Sequence, residues 1–345
     1  MNKIIHIILI SIISLTVLSC SSDDSKTATS SGLFIAVGHE GVILTSSDGT
    51  TWTSSTSGSS ENLWNIYYEN STFVSVGASG TILTSSDGTT WTSRTSGSSQ
   101  GMWNIFYGNS TFVAVGNSGT ILTSSDGITW TSRTSGTTED LFGITYENST
   151  FVVVGDNSSG SGTILTSADG ITWTSRTSAS SNSLWDVNYG NNKFVLSDGA
   201  GGIQSSSDGI SWTSRVGIDE YGIWGGAYGN SKFVVASLWG YIFTSSDGTS
   251  WDNVISRSAN ALNDVAYGNS QFAAVGDNGT AITSSDGTSW STQTTGTTTN
   301  FKGLTYGNSM WVIVGSGGLI ATAEEGVTER TSGTTNVLYR VIYKE

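Results

Sequence analysis

Two columns of residues carry the side chains from which chemistry could be built. The first reads Trp64, Trp103, Phe142, Trp185, Trp224, Asn263, Lys302 and Tyr339, and the residues that follow them are Asn65, Asn104, Gly143, Asp186, Gly225, Asp264, Gly303 and Arg340. Aromatic faces beside Asn and Asp can stack on sugar rings while the polar groups accept hydroxyl hydrogen bonds. The expected ligand-binding set is therefore Trp64, Trp103, Phe142, Trp185, Trp224 and Tyr339 with Asn65, Asn104, Asp186 and Asp264. The competing expectation is that these rings simply pack neighbouring units together. Two carboxylates could instead serve an inverting glycosidase, drawn from Asp186 and Asp264 or from the loop acids Glu61, Glu139, Asp140, Asp219 and Glu220. Acids in polar loops are ordinarily just solvated, so no catalytic residue is assigned. His39 is the one histidine beyond the extreme N-terminus, which removes His-dependent triads and His-rich metal sites. A single Cys, Cys20, excludes a disulfide framework and a paired-thiolate metal site. The stretch Asp156-Asn157-Ser158-Ser159-Gly160 has a faint calcium-loop look but no bidentate acid to close it. No metal and no cofactor are expected. A net charge of -14 makes nucleic acid a poor partner, because phosphate binding needs clustered Lys and Arg.

The elements that must position these residues come from an internal repeat. A Ser-x-Asp-Gly turn followed after two residues by Trp places its acid at Asp48, Asp87, Asp126, Asp169, Asp208, Asp247 and Asp286, with Glu325 in the eighth place. The spacing is 39 throughout except for 43 between Asp126 and Asp169, where four residues are inserted near 156–162. Each copy contains four strand-like segments, as in Leu63–Tyr68, Phe73–Gly77, Thr81–Ser85 and Thr90–Thr95. Val, Ile, Thr and aromatics separated by Gly, Asn and Asp are hairpin signals, and no helical period follows residue 20. Four antiparallel strands per repeat predict an all-β, eight-bladed β-propeller. The chain enters the repeat on a second-type strand and leaves on a first-type strand. Residues 338–343 are therefore expected to complete the N-terminal blade and close the ring without an open edge.

The motif Ser-x-Asp-Gly-x-Thr/Ser-Trp resembles the Asp-box of bacterial-neuraminidase-repeat propellers, one residue shorter between Asp and Trp. With Phe-x-x-Val-Gly and Gly-x-Ile-Leu-x-Ser, the repeat is also similar to photosystem II assembly-factor propellers. This resemblance covers residues 33–345 and implies architecture more than activity, since such rings host unrelated functions. The seven Asp are expected to be turn staples, accepting backbone N–H bonds beside a Gly at positive φ. Their Trp partners, and the Tyr at 68, 107, 146, 189, 228, 267, 306 and 343, are expected between blades. Sialidases with such boxes bind a carboxylate through three converging Arg. Here Arg94, Arg133, Arg176 and Arg215 repeat on an outer strand and point apart, which argues against that site.

At the N-terminus, Lys3 precedes an apolar run from Ile4 to Leu18, and Val17-Leu18-Ser19-Cys20 resembles a bacterial lipoprotein box. Fifteen helical residues reach about 22 Å, short of a bilayer core of about 30 Å. The reading is a signal peptide over 1–19, a flexible lipidated tether over 20–32 and a propeller over 33–345, with lipidation at Cys20. No Asp directly follows Cys20, so an outer-membrane or cell-surface location is expected, with the lipid as sole membrane contact. The expected function is a monomeric, non-catalytic binding or scaffold module of the envelope whose partner is a glycan or another protein. Alternatives are a glycan hydrolase or lyase using the acids above, and an assembly factor for an envelope complex.

Overall fold

The computed structural model describes residues 32–158, 160–217, 222–254, 256, 258–324 and 326–345. Cys20 and the leader and tether up to residue 31, Asp219, Glu220 and Glu325 lie outside the described residues. Eight four-stranded antiparallel sheets are arranged as an eight-bladed β-propeller. Blade 2 shows the pattern: an inner strand Leu63–Glu69, then Thr72–Gly77, Ile82–Ser85 and an outer strand Thr92–Arg94. Blade 1 is made from both ends of the ring. Leu33–Gly38, Ile43–Ser46 and Thr53–Ser55 supply three strands, and Leu338–Lys344 pairs antiparallel with Leu33–Gly38 as the inner one. Blades 3 to 8 follow with inner strands beginning at Met102, Leu141, Leu184, Ile223, Leu262 and Phe301.

The first hairpin turn of blade 2 uses Asn70 and Ser71 at φ 49° and 57°. Two consecutive positive φ values match the right-handed twist of the flanking strands, which is why Asn-Ser recurs there. The next strand presents five consecutive buried residues, Phe73 to Gly77, because both of its faces meet other blades. Eight apolar layers result, one per blade junction. Ile35, Val37 and Ile43 of blade 1, for example, meet Leu63, Ile66 and Phe73 of blade 2. The junction between blades 8 and 1 is built alike, with Val312 and Val314 against Phe34, Leu338 and Val341.

The outer strands are shorter than the expected 90–95 span. In blade 2 only Thr92–Arg94 is extended, and Trp91 stands just before it. The cause is the turn: the indole Nε1–H of Trp91 donates to the Gly88 carbonyl at 2.9 Å, which holds the ring inside the turn and against the neighbouring blade. Ser85 Oγ donates to Asp87 Oδ1, which also accepts the amides of Thr89 and Thr90 at 2.8 and 2.7 Å. Gly88 takes φ +75°. Those backbone amides, Thr90 first and Thr89 next, hold the Asp87 carboxyl well below the usual carboxylate range. The same pattern surrounds Asp126, Asp169 and Asp286.

Candidate functional site at the channel mouth

Every inner strand carries a β-bulge at its start. In blade 2 the register passes from Leu63↔Gly77 to Asn65↔Val76, so Trp64 is an extra residue without a partner. Blade 1 does the same, skipping Tyr339 between Leu338 and Arg340. A bulge bends the strand and re-aims one side chain, and here the re-aimed residue is the first aromatic column. Five of these rings form an arc across five consecutive blades. Trp64 and Trp103 stack at 4.1 Å and 11°, Trp103 meets Phe142 edge-on at 6.2 Å, Phe142 stacks on Trp185 at 4.7 Å, and Trp185 on Trp224 at 5.4 Å and 6°. Small neighbours make room: a Cβ on Gly101 would lie 2.6 Å from Trp64, and one on Gly199 2.7 Å from Trp185 Nε1. Trp103 and Trp224 remain 37% and 48% exposed, so the arc borders solvent. Tyr339 joins no ring pair among the described residues; its half-buried phenol is pushed upward in pKa by burial.

The second column faces the channel. Asn65 Nδ2 donates to Asn104 Oδ1 at 2.8 Å across two blades. Asp186 Oδ2 accepts Asn188 Nδ2 at 2.7 Å and the Gly226 amide at 3.3 Å. Asp264 Oδ2 accepts the Leu304 amide at 3.1 Å and pairs with Arg340 Nη1 at 3.4 Å. Burial raises the pKa of both carboxyls; Asn188 is the main opposing influence at Asp186 and Arg340 at Asp264. These residues line a channel cavity of about 560 Å³ that also touches Trp185, Trp224, Asn263 and Lys302. Lys302 lies 3.7 Å from Asp277, which accepts Asn263 Nδ2 at 2.8 Å. The expected set thus divides into an aromatic arc on blades 2 to 6 and the channel-facing polar residues Asn65, Asn104, Asp186 and Asp264 on blades 2, 3, 5 and 7, with Tyr339 of blade 1 outside the arc.

Of the described loop acids, Glu61, Glu139 and Asp140 do not line this cavity. Glu61 accepts Ser79 Oγ at 3.0 Å, Asp140 accepts the Ser118 amide at 2.7 Å, and Glu139 is buried against Ser158 of the inserted loop, accepting both its hydroxyl and its amide. Arg94, Arg133, Arg176 and Arg215 each bond a hydroxyl of their own blade at 2.7–2.8 Å; Arg133 and Arg176 border one groove between blades 3 and 4, and Arg94 and Arg215 do not line it. Among the described residues no group of three or more His, Cys, Asp or Glu could hold a metal ion. A deeper ring contact, Tyr67 to Phe106 at 5.2 Å, went unnoticed in the sequence. Its signal was available, since both residues occupy the fifth place of their inner strands. Trp239, 62% exposed beside Tyr241, forms a separate aromatic surface on blade 6.

No family model and no curated protein matches the chain. Solved structures do. A computationally designed protein, Ika8, superposes with a TM-score of 0.69 at 12% identity, over 83% of this chain and 91% of that one. BamB from Moraxella catarrhalis gives 0.58 at 13%, over 88% and 90%. A structure described as YCF48 bound to D1 peptide gives 0.52 at 16%, over 67% and 80%. At these identities the likeness is one of fold. It supports a β-propeller repeat protein and leaves the activity to the site itself.

Proposed function

We propose that this chain is a non-catalytic binding module of the bacterial envelope, and that the aromatic mouth of its channel receives a segment of another envelope protein. The observation that carries this reading is the five-ring arc beside the channel opening. Most of its flat faces lie against one another, which leaves fewer for sugar stacking and favours a chain that contacts ring edges and enters the channel. Asp186 and Asp264 are held by fixed donors and by Arg340, an arrangement better suited to recognition than to proton transfer. A propeller of similar fold described as bound to a peptide is consistent with a protein ligand. Anchoring follows from residues 17–20: Cys20 carries the lipid, 20–32 form the tether, and the ring faces the periplasm or the cell exterior as a monomer. No helix among the described residues is long and apolar enough to cross a membrane.

The test places a photo-cross-linking amino acid at Trp103 and, as control, at Ile128, an exposed turn residue of the same blade. Cross-links to one envelope protein from Trp103 and not from Ile128 are expected. Equal, unspecific products from both, or glycan binding on an array that is lost in Trp103→Ala, would overturn the protein-ligand reading. Cys20→Ser is expected to abolish lipid labelling and release the chain from the membrane fraction.

A further inference from the structure

We propose that the channel seats a cationic group, a primary ammonium or a guanidinium, in the gap that Gly225 leaves between Asp186 and Asp264. This deepens the reading above and rests on it: the group is a Lys or Arg side chain of the bound protein segment. Blades 5, 6 and 7 carry Asp186, Gly225 and Asp264 at the same place of their inner strands. Three blades have glycine at that place, but the three are not equivalent. A Cβ on Gly143 would meet Val154 at 2.9 Å and the Trp185 carbonyl at 3.0 Å, and one on Gly303 would meet the Tyr339 carbonyl at 3.0 Å. One on Gly225 would meet nothing within 4 Å. Of these three glycine places, the open one lies between the strands that carry Asp186 and Asp264, and Asp264 itself turns toward the Leu304 amide of blade 8 and Arg340.

The partners of those carboxylates differ. Asp264 already holds a guanidinium, that of Arg340, reaching across from blade 1. Asp186 hydrogen-bonds neutral donors, Asn188 Nδ2, the Val187 amide and the Gly226 amide, the last drawing it toward blade 6 and the gap, and feels the Arg340 charge without a direct bond to it. Trp185, covered on its faces by Phe142 and Trp224, offers only its edge to this cavity, whereas Trp224 borders it with a single stacked neighbour among the described residues, and an indole face attracts a cation that has shed its water. The other charged groups on the cavity are Arg340, Lys302 (paired with Asp277) and Glu147, so blades 4 to 7 present the acidic side and blades 8 and 1 the basic side. A net charge of -14 draws cations toward the molecule. A cation seated there would also counter the burial that disfavours the ionised form of Asp186.

The experiment titrates the full chain with three capped pentapeptides, Gly-Gly-X-Gly-Gly with X as Lys, Arg or Glu, and with free putrescine, following indole fluorescence and heat. The Lys and Arg peptides are expected to bind and the Glu peptide not to. Asp186→Asn is expected to weaken binding about tenfold or more, as loss of a charge-assisted bond does, and Gly225→Val, whose Cβ would meet nothing within 4 Å, to weaken it similarly by filling the gap. Binding that weakens as pH falls toward the carboxylate range supports the proposal, because protonation removes the charge on Asp186. Putrescine binding as tightly as the peptides assigns the site to a free amine and overturns the side-chain source. Unchanged affinity in both variants, or no binding of either cationic peptide at millimolar concentration, overturns the cation site. If Trp103 still cross-links to one partner in that case, the mouth reading stands without it; if it does not, both fall.

Discussion

A single indole shows how much of this molecule is decided residue by residue. Trp91 and its counterparts sit in the aspartate turn and donate to the glycine carbonyl three residues back. Trp251 departs from the pattern: its Nε1 is buried with no hydrogen-bond partner among the described residues. An unsatisfied buried donor is costly, whereas an apolar replacement of similar shape is nearly neutral. Trp91→Phe is therefore expected to destabilise the ring by about 1 kcal/mol more than Trp251→Phe does. Urea unfolding of the two variants measures the difference, and equal losses would count against it. The turn aspartates supply a pH dependence with a definite sign. Asp87, Asp126, Asp169 and Asp286 have folded pKa values held below the unfolded value by backbone amides. Their contribution is present above about pH 4 and is lost as pH falls through the folded values. Asp126→Asn is expected to narrow the gap between stabilities at pH 7 and pH 2, measured by thermal unfolding at both.

At the scale of strands and blades, glycine marks where one inner strand meets the next blade's tyrosine. Gly108, Gly190, Gly229, Gly268 and Gly307 end their inner strands against Tyr146, Tyr228, Tyr267, Tyr306 and Tyr343. A Cβ on Gly229 would lie 2.1 Å from Tyr267 Cγ, closer than any real contact allows. Gly229→Ala should then part blades 6 and 7 and cost about 1–3 kcal/mol, the usual range for overpacking. A melting temperature equal to that of the parent would refute the contact. Gly225→Val, four residues earlier on the same strand, should melt with the parent, because a Cβ there would meet nothing within 4 Å. The pair separates blade packing from channel lining within one inner strand.

For the whole molecule the decisive contact is the closure of blade 1. Leu338–Lys344 is the inner strand of the sheet that begins at Leu33, with Phe34 facing Tyr343 and Ile35 facing Ile342 across it. Leu338 and Val341 are buried in the junction with blade 8. Removing residues 338–345 exposes these side chains and an inner-strand edge on blade 1, a loss of about 5 kcal/mol or more from the apolar burial alone. The truncated chain is expected to melt at a much lower temperature and to self-associate, read by calorimetry and light scattering. An unchanged melting temperature would remove the closure argument.

The strict 39-residue spacing already implied eight blades, one ring and its closure, because a strand pattern repeated at fixed period leaves few ways to bury both faces of each sheet. The turn chemistry of Asp87 and Gly88 was equally legible, since those side-chain bonds are local. The site was legible only as two columns of residues. Whether Trp64 and Trp103 would lie face to face depended on a bulge in each inner strand and on the closeness of two blades, both set by packing between residues 39 apart. Gly143, Gly225 and Gly303 are identical letters at equivalent places, yet only Gly225 opens onto space. Local sequence carries turns and strands because their bonds span a few residues. Empty space, ring stacking and the reach of Arg340 to Asp264 exist only once the ring has closed and brought blade 1 within reach of blade 7.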